Sequence, residues 1–219
     1  MTELILVRHG ETDWNAERRL QGHLDIPLNA TGLSQAQALG QALRHEQLDA
    51  LFVSDLQRAM QTAAPIGAAH GLPLQIDAGL RERCYGAFEG LLYDEIDGRY
   101  PLEYAAWKAG DLHVRYPAGE FIAETLHEFD LRSTSTVLRI VTEATEASAA
   151  GARRIAIVTH GGVLECIYRA AKKLSWTSPR DFDIRNASIN RLTLHLDGWS
   201  ISQWGEVAHL QAQVLDEHH

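Results

Sequence analysis

Two histidines that follow short apolar segments are the residues of this chain best placed to do chemistry. His9 comes directly after the segment 4–8 (LILVR), His160 comes directly after the segment 155–159 (IAIVT), and a glycine follows each histidine. Such segments predict strands buried on both faces, and a glycine behind them predicts a sharp turn. Because open α/β sheets bind ligands beyond the carboxyl ends of their strands, we expect His9 and His160 to share one site.

Arginines near these histidines indicate that the expected site binds an anion. Arg8 precedes His9, and Arg58 lies in a predicted helix. The formal net charge of the chain is −9 at pH 7, so an anion site requires positive charge that is concentrated locally. The planar guanidinium group suits oxyanions better than an ammonium group does.

Length, charge and cysteine content restrict the class of protein. The 219 residues can form one domain with a substantial core. The acidic balance argues against nucleic-acid or anionic membrane partners. Cys84 and Cys166 are the only cysteines, which disfavours a disulfide scaffold or a thiolate zinc site. Without a basic leader or a long apolar segment, the chain is expected to be cytoplasmic. The sequence leaves open whether the protein forms a homodimer.

The segments that must position the two histidines alternate between helix and strand patterns. A helix is predicted from Thr31, which would cap it. A strand over 48–53 is followed by Ser54-Asp55, which would cap a helix that carries Arg58. Pro65 is expected to end or bend that helix. A short strand is predicted over 72–76.

The second half of the chain continues this alternation after an irregular stretch over 78–129. Within it, the segment 91–129 is predicted to be a partly helical insertion that covers the site. Helices are predicted over 131–149 and 163–173, and a hairpin over 189–204 with its turn at Asp197-Gly198. The whole pattern predicts a three-layer α/β/α sandwich around a mainly parallel sheet.

Six short motifs follow one another along most of the chain. They are Arg8-His9-Gly10-Glu11-Thr12 with Asn15, Gln21-Gly22, Ser54-Asp55 with Arg58, Leu80-Arg81-Glu82, Glu124-Thr125 and Thr159-His160-Gly161. Their order and spacing resemble those of the histidine phosphatase superfamily, the phosphoglycerate mutase-like proteins. This resemblance implies the phosphoglycerate mutase-like fold.

The resemblance implies a role for each of these side chains. His9 would be the nucleophile that becomes a phosphohistidine, with its other ring N–H donated to a nearby backbone carbonyl. Arg8 and Arg58 would hold the phosphoryl oxygens. His160 would face His9 and donate a hydrogen bond or positive charge to the transferring group.

Further contacts to the phosphoryl group are expected from residues beside these four. Asn15 and the backbone N–H of Gly161 would add neutral donors. Gln21 and Gly22 would approach the mouth of the pocket. Arg18 and Arg19 are interpreted as solvated surface residues.

Glu82 occupies the position of the family's general acid and base. It would protonate the leaving alkoxide and then activate water, which requires partial burial or an anionic neighbour to keep its proton near neutral pH. Glu11 and Glu89 are alternatives on composition alone.

The motifs favour a phosphatase over a mutase. The mutase branch reads Glu-Arg-His-Tyr-Gly after the acid, whereas Cys84 stands here in place of that histidine. The insertion lacks the adjacent arginine pair that holds a substrate carboxylate in mutases, and offers only separate basic residues: Arg99, Lys108 and Arg115. Tyr104 and Trp107 in this insertion are candidates for substrate contact.

The functional prediction is therefore a metal-independent phosphatase that hydrolyses small phosphorylated metabolites through phospho-His9. The first alternative is a 2,3-bisphosphoglycerate-dependent phosphoglycerate mutase, for which 2,3-bisphosphoglycerate would be the cofactor. The second is a non-catalytic phosphate-binding protein. No resident metal or other cofactor is expected, and His218-His219 is interpreted as a solvated tail.

Overall fold

A computed structural model describes residues 2–147, 154–196, 198–210 and 216. Three of the sequence predictions fall outside these residues. They are the last two positions of the helix predicted over 131–149, Asp197 in the predicted hairpin turn, and the His218-His219 tail.

The described residues form one six-stranded sheet. Its order is β3-β2-β4-β1-β5-β6, with β3, β2, β4 and β1 mutually parallel and the last two strands pairing antiparallel. The strands are β1 (Thr2–Arg8), β2 (Ala50–Val53), β3 (Leu74–Ile76), β4 (Arg154–Thr159), β5 (Ile189–His195) and β6 (Gly198–Glu206). The predicted strands and the predicted hairpin are thus present in one mainly parallel sheet.

Helices cover both faces of this sheet. They are α1 (Asp13–Ala16), α2 (Ala30–Leu43), α3 (Gln57–His70), α4 (Tyr93–Arg99), α5 (Pro101–Lys108), α6 (Leu126–Ala147) and α7 (Gly161–Lys172), with 3-10 turns at Ala78–Leu80 and Gly86–Phe88. Alternate side chains of β1 point to opposite faces, so Leu4 and Leu6 pack with α6 and α7, whereas Ile5 and Val7 pack with α2 and α3. The predicted three-layer sandwich is confirmed.

The pairing of β1 with β4 explains why two distant histidines meet. Arg8 lies opposite Thr159 in this parallel pair, so both strands end at the same edge of the sheet. The backbone N–H of His9 then donates to the carbonyl of Thr159 over 2.9 Å. His9 and His160 therefore leave the sheet side by side, as predicted.

The predicted helix caps are wrong in detail. Asn29, and not Thr31, caps α2, because its side chain accepts from the N–H of Gly32 over 2.8 Å. Leu56 begins α3 without a side-chain cap, since Asp55 pairs with Arg81 over 2.7 Å instead.

Pro65 does not end its helix, so that half of the prediction is wrong. The helix α3 continues through it to His70. Gly40 of α2 lies so close that a Cβ there would be 2.9 Å from Pro65. This close packing of α2 against α3 supports the helix around the proline.

An apolar cluster joins the predicted insertion to the segments that precede it. Its members are Leu20, Tyr85 and Phe88 from before residue 91 and Ile96, Tyr116 and Ala123 from within the insertion. The rings of Phe88 and Tyr116 stack with centroids 4.4 Å apart, and Trp107 packs at the edge. The helix predicted from position 131 begins earlier, at Leu126, so the end of the predicted insertion belongs to α6. In the part of the chain that the structure describes, no helix is long and apolar enough to cross a membrane.

Candidate active site

Four predicted residues converge at the edge of the sheet where β1 and β4 end. The rings of His9 and His160 lie with centroids 5.2 Å apart and planes at 59°. Arg8, His9 and Arg58 line a small pocket of about 40 Å³, together with Asn15 and Glu82. Both histidines and both arginines are 3% exposed or less. The site is therefore a buried, positively charged pocket with room for little more than one phosphoryl group.

The backbone beside His9 fixes which ring nitrogen can act. Its Nδ1 lies 2.7 Å from the carbonyl oxygen of Gly10. Since a carbonyl only accepts, Nδ1 carries the proton and Nε2 keeps its lone pair. This is the backbone partner that the sequence analysis predicted.

The electrostatic surroundings keep this imidazole neutral. Burial lowers the pKa of His9 well below its ordinary value of 6.5, and the charges of Arg58 and Arg8 lower it further. A neutral ring with a free Nε2 lone pair is the form that can attack phosphorus.

The loop that carries His9 is fixed by direct contact with α2. A Cβ on Gly10 would lie 2.7 Å from the carbonyl oxygen of Gly32, and one on Gly32 would lie 2.0 Å from that of Glu11. Two backbone segments thus cross with no side chain between them. The N–H of Gly10 also donates to Thr62 Oγ1 over 3.0 Å.

Backbone carbonyls orient both arginines. The Arg8 guanidinium donates to the carbonyl of Ile184 over 2.7 Å. The Arg58 guanidinium donates to the carbonyls of Gly22 and Leu24 over 2.7 and 3.0 Å. Carbonyl oxygens fix the direction of each guanidinium and carry no full negative charge themselves.

His160 is held differently from His9. Its Nε2 lies 2.8 Å from Ser54 Oγ, and Nδ1 is buried with no hydrogen-bond partner among the described residues. Burial lowers the pKa of His160 well below 6.5, with Arg58 adding to the effect. Of the two roles predicted for His160, this direction of the pKa shift favours the hydrogen bond from a neutral ring over the positive charge.

Glu82 lines the pocket, and two backbone N–H groups hold its carboxylate in place. It is 6% exposed, and it accepts from the N–H groups of Arg83 over 2.8 Å and Gly162 over 3.0 Å. A Cβ on Gly162 would lie 2.2 Å from Glu82 Oε1. Glycine at the start of α7 therefore lets the carboxylate sit against the helix.

The two alternative carboxylates have other uses. Glu11 accepts from the side chain of Asn29 over 2.9 Å. Glu89 Oε1 accepts from the N–H groups of His23 and Tyr85 over 3.0 and 2.9 Å, and burial raises the pKa of Glu89. Neither lines the pocket, whereas Glu82 does.

The remaining predicted contacts divide into two groups. Asn15, Gln21 and Gly22 line the pocket, whereas Gly161 begins α7 beside His160 without lining it. Asn15 Oδ1 accepts from Thr12, which leaves its amide N–H groups for a ligand. Gly22 acts through its carbonyl on Arg58, and its φ of +57° suits glycine.

Sequence reasoning missed several residues of the pocket. Arg18 and Arg19, interpreted as solvated, line it, and so do Trp14, Leu20, Tyr85, Tyr93 and Asp216. Arg18 has a φ of +58°, and Arg19 is tied to the carbonyl of Gly90 over 2.7 Å. Proximity to the first motif was the available signal for both arginines. The position of Asp216 depends on long-range pairing with Arg185.

The predicted substrate contacts of the insertion also divide. Tyr104 lines an outer cleft of about 360 Å³, which shares Arg18 and Tyr93 with the pocket. Trp107 lies outside this cleft, against Tyr85 and Phe88. Within the described residues, no group of three or more His, Cys, Asp or Glu side chains could hold a metal ion.

Comparison with known proteins finds one family and close relatives over nearly the whole chain. Residues 4–207 match the histidine phosphatase superfamily (branch 1). Phosphoglycerate mutase-like protein 4 of Arabidopsis thaliana is 40% identical, over 95% of this chain and 87% of that protein. A metal-independent phosphoserine phosphatase of the same plant is 35% identical, over 97% of this chain and 84% of its own length.

A solved structure extends the similarity to the fold. A mycobacterial glucosyl-3-phosphoglycerate phosphatase, crystallised with VO3, superposes with a TM-score of 0.79 at 30% identity. The match covers 94% of this chain and all of that one. The phosphoglycerate mutase-like fold predicted from the motifs is therefore confirmed.

Proposed function

We infer the function of this chain from its family: it belongs to the histidine phosphatase superfamily, branch 1, whose phosphatase members are phosphomonoesterases. We propose that it is a metal-independent phosphatase that hydrolyses small phosphorylated metabolites through a phosphohistidine at His9. The observation that carries this proposal is the neutral His9 ring, with Nδ1 bonded to Gly10 and Nε2 left as a nucleophile beside two carbonyl-held guanidiniums.

In the first half-reaction His9 takes the phosphoryl group from the substrate. The Nε2 lone pair forms the bond to phosphorus while the bond from phosphorus to the ester oxygen breaks. Arg8 and Arg58 stabilise the charge on the three equatorial oxygens in the loose transition state. The departing alkoxide takes its proton from Glu82, which becomes a carboxylate.

In the second half-reaction water releases the phosphate. The Glu82 carboxylate, held by the N–H groups of Arg83 and Gly162, takes a proton from water as the water oxygen attacks phosphorus. The bond from phosphorus to Nε2 breaks, inorganic phosphate leaves, and the neutral His9 and protonated Glu82 return. Apart from the ester and water, these steps balance with groups of the chain alone.

The insertion supports hydrolysis rather than transfer back to an organic acid. Arg99 pairs with Glu95, and Arg115 pairs with Glu128, so neither forms the arginine pair that holds a mutase substrate. Lys108 is exposed on the outer cleft. The leaving group is proposed to extend from the small inner pocket into this cleft, past Arg18 and Tyr93.

A phosphoglycerate mutase stays the second candidate because several relatives carry mutase or mutase-like names. The two reactions differ in whether phosphate is released. A panel of phosphorylated metabolites, assayed for inorganic phosphate with and without EDTA, tests the proposal. 3-Phosphoglycerate is run in parallel with and without 2,3-bisphosphoglycerate.

We expect phosphate release from several small esters, with no dependence on 2,3-bisphosphoglycerate and no loss in EDTA. Isomerisation of 3-phosphoglycerate that requires the bisphosphate, without net phosphate release, would overturn the proposal in favour of the mutase. Inhibition by EDTA that added metal reverses would overturn the metal-independent mechanism. Tight phosphate binding without turnover of any ester would favour the non-catalytic alternative.

A further inference from the structure

A second cavity lies between the insertion, α6, α7 and the loop that follows α7. Its volume of about 410 Å³ is typical of small-molecule sites. Tyr85 is the wall that it shares with the phosphoryl pocket, and neither His9, Arg8 nor Arg58 lines it. The mechanism proposed above leaves this cavity without a use.

Positive charge is concentrated around this cavity. Arg83, Lys108, Arg169 and Arg180 line it, and Glu165 is the acidic residue among the lining side chains. Arg169 is neutralised by Glu165 over 2.7 Å, and Arg180 by Asp216 over 2.9 Å. Arg83 and Lys108 have no carboxylate within ion-pair distance in the described part of the chain. This local excess of positive charge lies in a protein whose net charge is −9.

Arg83 is the unusual member of this group because it is buried. It is 2% exposed, and its guanidinium donates to the carbonyl of Glu124 over 3.1 and 3.0 Å. It also lies 4.6 Å from the centre of the Tyr116 ring. A buried charge without a counter-ion is unfavourable, and an anion in the adjacent cavity would supply the opposite charge.

The walls of the cavity are largely flat and aromatic. Trp107, Trp176, Tyr85 and Phe129 line it. Such rings favour a planar apolar ligand body through stacking and burial, whereas the two cations require an anionic end. A carboxylate matches the guanidinium fork of Arg83.

We propose that this cavity binds a small aromatic carboxylate, with its ring against Trp107 and Trp176 and its carboxylate toward Arg83 and Lys108. The site is separate from the phosphoryl pocket, so phosphate does not compete for it. The proposal does not depend on which phosphate ester is the substrate, or on whether the protein hydrolyses one.

Calorimetric titration of the full chain with naphthalene-1-carboxylate tests the site directly. We expect saturable binding of one molecule per chain, unchanged when orthovanadate fills the phosphoryl pocket. Naphthalene-1-methanol, which has the same ring system without the charge, should bind at least about tenfold more weakly, which corresponds to ~1.4 kcal/mol.

Three variants locate the ligand. Lys108→Glu should weaken binding about tenfold, since it reverses one of the two unpaired charges. Lys172→Glu is the matched control, because Lys172 is exposed on α7 and does not line the cavity, and it should bind as the wild type does. Arg83→Met should abolish binding, because Arg83 lines this cavity and not the outer cleft.

Three results would overturn the proposal. The first is displacement of the probe by orthovanadate, which would assign it to the phosphoryl pocket. The second is equal weakening by Lys108→Glu and Lys172→Glu, which would show unspecific charge attraction. The third is no saturable binding at millimolar probe.

Discussion

The floor of the phosphoryl pocket and the adjoining segment 85–116, which we call the cover, are built in different ways. The floor consists of strand ends and tight turns, in which backbone groups fix Arg8, His9 and Arg58. The cover consists of side chains, above all the aromatic rings around Phe88 and Trp107. Because backbone groups position the residues of the floor, we expect substitutions there to reduce catalytic activity strongly. Because side-chain packing forms the cover, we expect substitutions there to leave the catalytic groups in place.

The largest effect that follows from this contrast is at the nucleophile. His9→Ala should reduce turnover about ten-thousandfold or more, because no other group can form the covalent intermediate. The measurement is phosphate release from a good substrate, with circular dichroism to confirm that the fold is retained. Turnover near the wild-type rate in a folded variant would exclude His9 as the nucleophile.

The next effect concerns Glu82, also part of the floor. Glu82→Gln should slow hydrolysis of alkyl phosphates by about 10²–10⁴. The loss for p-nitrophenyl phosphate should be much smaller, since its leaving group needs no proton. The ratio of the two losses is the readout, and equal losses would assign the acid to another residue.

A smaller effect is expected where the backbone of the floor holds Arg58. Gly22→Ala places a Cβ 2.1 Å from Glu89 Oε1 and so shifts the carbonyl that orients Arg58. We expect kcat/KM to fall roughly ten- to a hundredfold, as for a small misplacement of a catalytic group.

Gly71→Ala is the matched control for this variant. Gly71 has a similar φ of +64°, and nothing lies within 4 Å of its Cβ position. It should lose about 1 kcal/mol of stability through backbone strain while its activity stays unchanged. If both variants lost activity equally, the carbonyl of Gly22 would not position Arg58.

The buried histidines of the floor also predict how stability depends on pH. Burial lowers the pKa of His9 and of His160 below 6.5. As the pH falls below about 6.5, these histidines bind protons in the unfolded chain but stay neutral in the folded pocket. The free energy of unfolding should therefore fall by up to about 1.4 kcal/mol per pH unit for each histidine.

Urea unfolding between pH 7 and pH 5 measures this dependence. His9→Asn should give a shallower loss of stability across this range than the wild type. Identical slopes would mean that His9 is protonated as readily in the folded pocket as in the unfolded chain.

The smallest effect is expected in the cover. Tyr104→Ala widens the outer cleft, and we expect KM for esters with large leaving groups to rise a few-fold at unchanged kcat, because only ground-state contacts are lost. Ethyl phosphate, which need not enter the cleft, serves as the control substrate. A large fall in kcat would place Tyr104 with the floor rather than the cover.

The same contrast explains what the sequence could predict. The strand before each histidine and the turn after it are local signals, so the edge of the sheet and the meeting of His9 with His160 followed from the pattern. Arg18 and Arg19 could not be assigned, because their contact with the pocket depends on pairing between the segments around Arg19 and Leu92. The cap predicted at Ser54-Asp55 was wrong for the same reason, because Asp55 is bound by Arg81, which comes from a distant segment.

The crossing of Gly10 and Gly32 has a consequence for how such a protein can diverge. The backbone of Gly32 excludes a side chain at Gly10, and the backbone of Glu11 excludes one at Gly32, so repacking of side chains alone cannot accommodate a replacement at either position. Substitutions that alter the substrate preference are therefore not expected at these two glycines. They are expected at residues whose neighbours are side chains, because those neighbours can repack.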